Sequence, residues 1–275
     1  MTAEPPILPP PLLSALTERG ASAAVDDGKA RYYRLMIERA GGLDRMGFLR
    51  DPHLIALFTD AQVRTGAPLS LNHLLAKMRI GGKNGARSGV LRHLHRLVGS
   101  GILIRGYAHD CPTCGASNFI RPHRASERIA CESCLSPFQL PLDARFAFKL
   151  NQIYAMGLAQ GALSVLLALL YWQSEAPDFA WAASVLIEKA GIRGEVDLVC
   201  VMGADSRRLI VCECKDRWMD EAALHDQIER GCALADRLGA EFCFVTLQPL
   251  DAIPDGVRAT LHGRIMLDFA QLCHS

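Results

Sequence analysis

The stretch LIVCECKD, residues 209–216, decides how the second half of this chain reads. Apolar, strand-forming residues run into an acid, a cysteine and a lysine. Side chains along a β-strand alternate between faces, so Glu213 and Lys215 share one face and Cys212 and Cys214 the other. Burying a carboxylate and an ammonium costs free energy unless both are paired. The stretch therefore marks a site rather than a plain core strand.

Reading outward, GEVDLVCVM (194–202) is a strand joined to 207–216 through a turn at GADS, and DFAWAASVLIE (178–188) is a strand before it. Residues 219–238 carry an amphipathic helical pattern and EFCFVTL (241–247) a further strand. Residues 143–173 read as one long helix. The expected order is helix, three strands, helix, strand, an α/β fold. On the central hairpin Glu195 and Asp197 share a face. With Asp197 across from Glu213, two carboxylates converge beside Lys215. A hard divalent cation, Mg2+ or Mn2+, prefers such oxygens, and the backbone carbonyl of Cys214 is a further candidate ligand. Such an ion acidifies water and neutralises phosphate charge. Lys215 is placed to orient or deprotonate that water and to stabilise developing charge.

Asp197, fifteen intervening residues and then Glu213-Cys214-Lys215, preceded by GEVDLV, resemble the PD-(D/E)xK nuclease superfamily, in its Mrr-like and Holliday-junction-resolvase-like branches. The resemblance covers about 143–270. It implies a restriction-endonuclease-like αβββαβ core, metal-binding roles for Asp197 and Glu213 and a catalytic role for Lys215. Many members carry an acid on the first helix. Here no Asp or Glu occurs between Asp143 and Glu175, which leaves Gln160 as the polar candidate and Glu195 as the residue that compensates. Gln227, on the helix after the lysine, is either a DNA contact or part of a solvated face.

Cys111, Cys114, Cys131 and Cys134 form C-x2-C, sixteen residues, C-x2-C. Two such knuckles complete a closed tetrahedral site, so the ion is structural zinc. An iron–sulfur cluster and a redox dithiol are the competing readings. The segment resembles a zinc ribbon. Cys200, Cys212, Cys214, Cys232 and Cys243 fall on apolar faces and read as small core residues.

Between Asp60 and Asp110 there is no acid, while Arg64, Lys77, Arg79, Lys83, Arg87, Arg92, Arg96 and Arg105 all occur. This charge asymmetry, in a chain whose net charge is only +1, points to a polyanionic partner. SLNHLLAKM, a glycine-rich turn, a basic helix with Arg92 and Arg96 four residues apart, and the strand GILIRG resemble a winged helix-turn-helix. The resemblance makes Lys77, Arg79, Lys83, Arg87, Arg92 and Arg96 candidate DNA contacts. Arg121, Arg124 and Arg128 extend the basic surface.

The expected organisation is a proline-rich tail and helical region (1–60), a winged helix (61–108), a zinc ribbon (109–140) and a nuclease-like domain (141–275). Residues 154–172 carry no charge over nearly a membrane-spanning length. Gln160, Ser164 and two glycines favour a buried core helix instead, so no membrane partner is expected. The free-thiol composition and the lack of a signal-peptide pattern point to the cytoplasm. Two functions fit: a metal-dependent DNA endonuclease of restriction, phage defence, mobile-element or repair processes, or a catalytically inactive nuclease-fold DNA-binding regulator or assembly subunit. A homodimer or protein partners in a larger complex are compatible with either.

Overall fold

The computed structural model describes residues 8–78, 86–125, 128–140, 144–176, 178–203, 208–217 and 220–274. The chain divides into two units: Met1–Arg50 with Gln160–Ser275, and Asp51–Ala159. This differs from boundaries at 60, 108 and 140, because the N-terminal segment contributes a strand to the sheet formed by the last hundred or so residues.

The first unit is a mixed α/β structure around a six-stranded sheet. Its elements are α1 (Pro10–Glu18), β1 (Ser22–Val25), α2 (Asp27–Ala40), α3 (Ala162–Glu175), β2 (Phe179–Lys189), β3 (Ile192–Met202), β4 (Arg208–Lys215), α4 (Glu221–Leu238), β5 (Glu241–Thr246) and β6 (Ile265–Leu267). The strands lie in the order β1-β2-β3-β4-β5-β6. The first three pairings are antiparallel, whereas β4–β5 and β5–β6 are parallel. The run α3-β2-β3-β4-α4-β5 matches the helix, three strands, helix, strand order read from the sequence. The turn after Gly203, residues 204–207, lies outside the described residues.

Helix α4 starts where the Asp220 carboxylate accepts the amides of Ala222 and Ala223. It ends at Gly239, whose φ of 61° is the left-handed conformation glycine adopts without strain. Leu224, Ile228, Cys232 and Ala235 form its apolar stripe and pack in one core with Val199, Val211, Phe242 and Phe244. Gly231 lets the helix sit low: a Cβ there would lie 2.5 Å from the Phe242 ring. On the other sheet face, Cys200, Cys212, Cys214 and Cys243 are buried. Burial pushes the thiols of Cys200, Cys214 and Cys243 up, so these are core residues and not nucleophiles.

The single helix expected over 143–173 is instead a strand, Arg145–Leu150, and two helices, Gln152–Ala159 and Ala162–Glu175. The Asn151 side chain caps the first helix by accepting the amide of Ile153. Gly161, at φ 80°, supplies the break. Among the described residues no single helix is long and apolar enough to cross a membrane, and residues 162–170 are all buried within the first unit.

The second unit holds helices Pro52–Thr59, Ala61–Arg64, Leu71–Lys77, Ala86–Gly99 and Gln152–Ala159. Its sheet orders Leu69–Ser70, Arg145–Leu150, Leu103–Asp110 and Ser117–Ile120, all antiparallel. The four-cysteine segment is an excursion between two adjacent strands. It leaves at Asp110 and returns by Arg145, which pairs with Ala108. A two-stranded ribbon, Ile129–Ala130 with Pro137–Phe138, completes it.

Candidate active site and metal centre

The register of the β3–β4 hairpin builds the candidate site. Met202 faces Arg208 and the ladder runs to Leu198 opposite Cys212. One step further brings Asp197 to the level of Glu213. There a side chain replaces the backbone ladder: the Cys214 amide donates to Asp197 Oδ2 at 2.9 Å. Lys215 Nζ lies 2.5 Å from Glu213 Oε1 and 3.6 Å from Asp197 Oδ2, so one cation touches both carboxylates.

Burial, then the neighbouring Asp197 charge, pushes the Glu213 carboxyl up to about 7. Burial disfavours the Lys215 ammonium, but Asp197 and Glu213 outweigh it and raise its pKa. Lys215 is thus held as a cation.

Glu195 joins from the same strand. Its Oε1 accepts from Lys29 Nζ at 2.6 Å and from Ser184 Oγ at 3.0 Å. Between Ala183, paired with Leu198, and Val185, paired with Val196, the β2–β3 ladder lapses at Ser184, which lies level with Asp197 and has a φ of 53°. The Ser184 carbonyl accepts the amide of Asp26, the N-cap of α2, which fixes the helix that carries Lys29. Burial lowers the Lys29 pKa, but the bond to Glu195 together with the Glu195 and Asp197 charges outweighs it and the net shift is upward. Tyr33, one turn along α2, is buried, and burial together with Asp197 raises its pKa, keeping the phenol protonated.

Lys29, Glu195, Asp197, Glu213 and Lys215 line a cavity of about 340 Å³ with Arg193, Gln227, Arg230 and Gly231. Gln227, Arg230 and Gly231 fall at helical spacing on the face of α4 turned to the sheet. The cavity therefore unites Asp197, Glu213, Lys215, Glu195 and Gln227. It does not include Gln160, which is exposed and sits in the turn before α3. The start of α3 is held instead by Asp216, whose carboxylate accepts the Ser164 amide at 2.8 Å. Lys29, Arg193 and Arg230 escaped the sequence reading. Lys29 is 166 residues from Glu195, and no local pattern links them.

The two facing carboxylates suit a hard cation. They already share one positive charge, that of Lys215. The four cysteines pass a stricter test. Cys111 Sγ lies 3.7 Å from Cys134 Sγ, and Cys114 Sγ 3.7 Å from Cys131 Sγ. A tetrahedral ion with Zn–S bonds of about 2.3 Å needs sulfur–sulfur edges of about 3.8 Å. The two knuckles repeat one another: the amides of Gly115 and Leu135 return to the carbonyls of Cys111 and Cys131, both at positive φ. Backbone amides of Cys134 and Ser133 lower the Cys131 thiol to about 6, whereas the neighbouring thiols together outweigh the Ala116 amide and raise Cys114, so the cluster shares its protons unevenly. The cluster can hold one metal ion such as zinc.

On helix Ala86–Gly99, Val90, Leu94 and Leu97 are buried while Arg92, His95 and Arg96 are exposed. Lys77 differs from a simple surface cation, since its ammonium pairs with Asp60 Oδ2 at 2.8 Å. Arg79, Lys83 and the side chain of Arg87 lie outside the described residues.

No family model matches the sequence, and no curated protein matches it. Among solved structures, the chain is similar to Can2 from Sulfobacillus thermosulfidooxidans in complex with cyclic tetra-adenylate. The identity is 13% and the TM-score 0.42. The match covers 96% of this chain and 58% of the Can2 chain.

Proposed function

We propose that the protein is a metal-dependent DNA endonuclease whose chemistry resides in the cavity around Asp197, Glu213 and Lys215. The observation that carries this reading is the convergence of two carboxylates on one ammonium at the end of the β3–β4 hairpin. Asp197 and Glu213 would hold Mg2+ or Mn2+, with Glu195 and the Cys214 carbonyl as further oxygens. Bound there, the ion supplies Lewis-acid chemistry to the phosphodiester. Lys215 stabilises the negative charge that builds on the phosphate oxygens as water adds and the leaving oxygen departs. Lys29, Arg193 and Arg230 supply positive charge for the DNA backbone, and Gln227 a neutral polar contact. The products are a phosphate monoester and a hydroxyl, and water is the only co-reactant. The cysteine cluster is a structural zinc site.

The second reading, a binding module with an inactive nuclease fold, draws on the absence of Gln160 and of any α3 acid from the cavity. Plasmid and single-strand cleavage with Mg2+ or Mn2+ separates the two. Wild type should cut, and Lys215→Ala should lose a factor on the order of 10² or more in rate. A wild type that cuts no duplex, branched or single-stranded substrate removes the enzyme reading.

The second unit supports a DNA-holding role. Helix, short strand, two helices and an antiparallel strand pair is the order of a winged helix-turn-helix, with Arg92, His95 and Arg96 on the open face of its last helix. Arg92→Ala combined with Arg96→Ala should weaken duplex binding and reduce the slope of log affinity against log salt by about 2. An unchanged slope would assign this face to a protein partner.

A further inference from the structure

The wing-like strand pair of the second unit carries a feature that cleavage chemistry does not use. Arg105 faces Phe148 and Tyr107 faces Phe146 across the ladder. Alternation places Arg105, Tyr107 and His109 on one face, together with Phe146 and Phe148. The Tyr107 and Phe146 rings lie 4.8 Å apart, and those of His109 and Phe138 5.6 Å apart. At the base of this face Leu69, Leu103 and Leu150 are buried. Further along, the cover ends: Phe146 is 54% exposed and Arg105 is exposed. Tyr107 is engaged from below by the core of the cysteine ribbon, so Phe146 rests on a supported ring with its own surface open to solvent.

An exposed aromatic ring beside an arginine in a segment without acids fits one kind of occupant. No Asp or Glu lies between residues 61 and 109, and Asp110 falls on the opposite strand face by alternation. The charge favours a polyanion and the open rings favour flat apolar groups. In a duplex the flat faces of the bases are already covered by their neighbours, so only unpaired bases can stack on a side chain.

We propose that the face formed by Arg105, Tyr107, His109 and Phe146 binds single-stranded nucleic acid, stacking a base on Phe146, which Tyr107 supports, while Arg105 meets the phosphates. This goes beyond the nuclease reading, since it concerns strand capture in a different unit and is read without any cleavage.

The test uses the full-length protein without added divalent cation and a fluorescent oligothymidine of about 16 nucleotides. Binding is followed by anisotropy. Phe146→Ala should weaken single-strand affinity by about 5- to 100-fold, with Phe146→Trp close to wild type and duplex affinity changed less than about 2-fold. Because Phe146 is exposed, its zinc content and melting temperature should stay at wild-type values, whereas Tyr107→Ala is the riskier second variant. Three results overturn the proposal: wild type that does not bind the oligomer, Phe146→Ala that binds it unchanged, or equal losses for single strand and duplex. The last would mark a general electrostatic surface, and loss of a co-purifying protein in place of oligomer binding would mark a protein interface. A wild type that binds the oligomer but cleaves nothing would leave this surface standing and remove only the nuclease reading.

Discussion

Asp197→Ala is expected to lower metal-dependent cleavage by a factor on the order of 10³ while leaving duplex binding intact or tighter. The Asp197 carboxylate touches three parts of the site at once. It accepts the Cys214 amide, faces Lys215 and raises the Glu213 carboxyl. On the proposed metal site its loss removes a ligand oxygen and also a negative charge that repels the phosphate. Glu213→Gln should be comparably inactive and adds a pH signature. Burial and Asp197 raise Glu213 from its ordinary 4.5 to about 7, so a cation entering the site near neutrality must displace a proton. Half-saturating Mg2+ should therefore fall as pH rises through about 7, and Glu213→Gln should abolish that dependence. Folded-state stability moves the opposite way. The folded site binds this proton more tightly than the unfolded chain, so the contribution is full below 4.5 and is lost as pH rises through about 7. A pH-independent metal requirement in wild type would separate Glu213 from the metal.

Cys131→Ser should remove the zinc, measured by elemental analysis as a fall from about one ion per chain to near zero. The local core consists of Cys111, Ile120, Cys131 and Phe138, too little apolar surface to hold a fold without a metal or disulfide staple. Trypsin should then cut rapidly after exposed Arg124, which lies on the excursion between the knuckles. The sheet around Glu213 forms its own core with its own residues, so residual cleavage of short substrates should persist. Iron in the wild-type protein, or a variant that resists trypsin without metal, would contradict a structural zinc.

The order of β2, β3, β4 and β5 was legible because each is a short apolar run bounded by glycine, aspartate or proline, whereas β1 and β6 are too short to stand out. The facing of Asp197 and Glu213 followed from period-two alternation and a hairpin. The stretch 143–173 was misread for a physical reason. It is apolar almost throughout, so helical periodicity has nothing to contrast with, and the pairing that makes Arg145–Leu150 a strand comes from Leu103–Asp110, some forty residues earlier. Gln160 was a candidate only while that helix was taken as continuous. Gly161 ends the continuity, and Asp216 takes the helix start. Lys29 had no sequence signal at all. It enters the cavity because β1 pairs with β2 and so brings the start of α2 to the Ser184 carbonyl.

That edge pairing sets a timetable for the chain as it leaves the ribosome. Residues 51–159 are made between the two halves of the first unit, and at typical synthesis rates these 109 residues take roughly 5–20 s. Throughout that interval Ser22–Val25 has no strand to join, and Lys29 waits for a glutamate not yet translated. The intervening unit has time to collapse on itself first. The cavity closes only when β2, β3 and β4 have emerged to meet a segment synthesised long before. Nascent, partly translated chains of this protein are thus built without the full cation set of the site, and competence arrives near the end of translation.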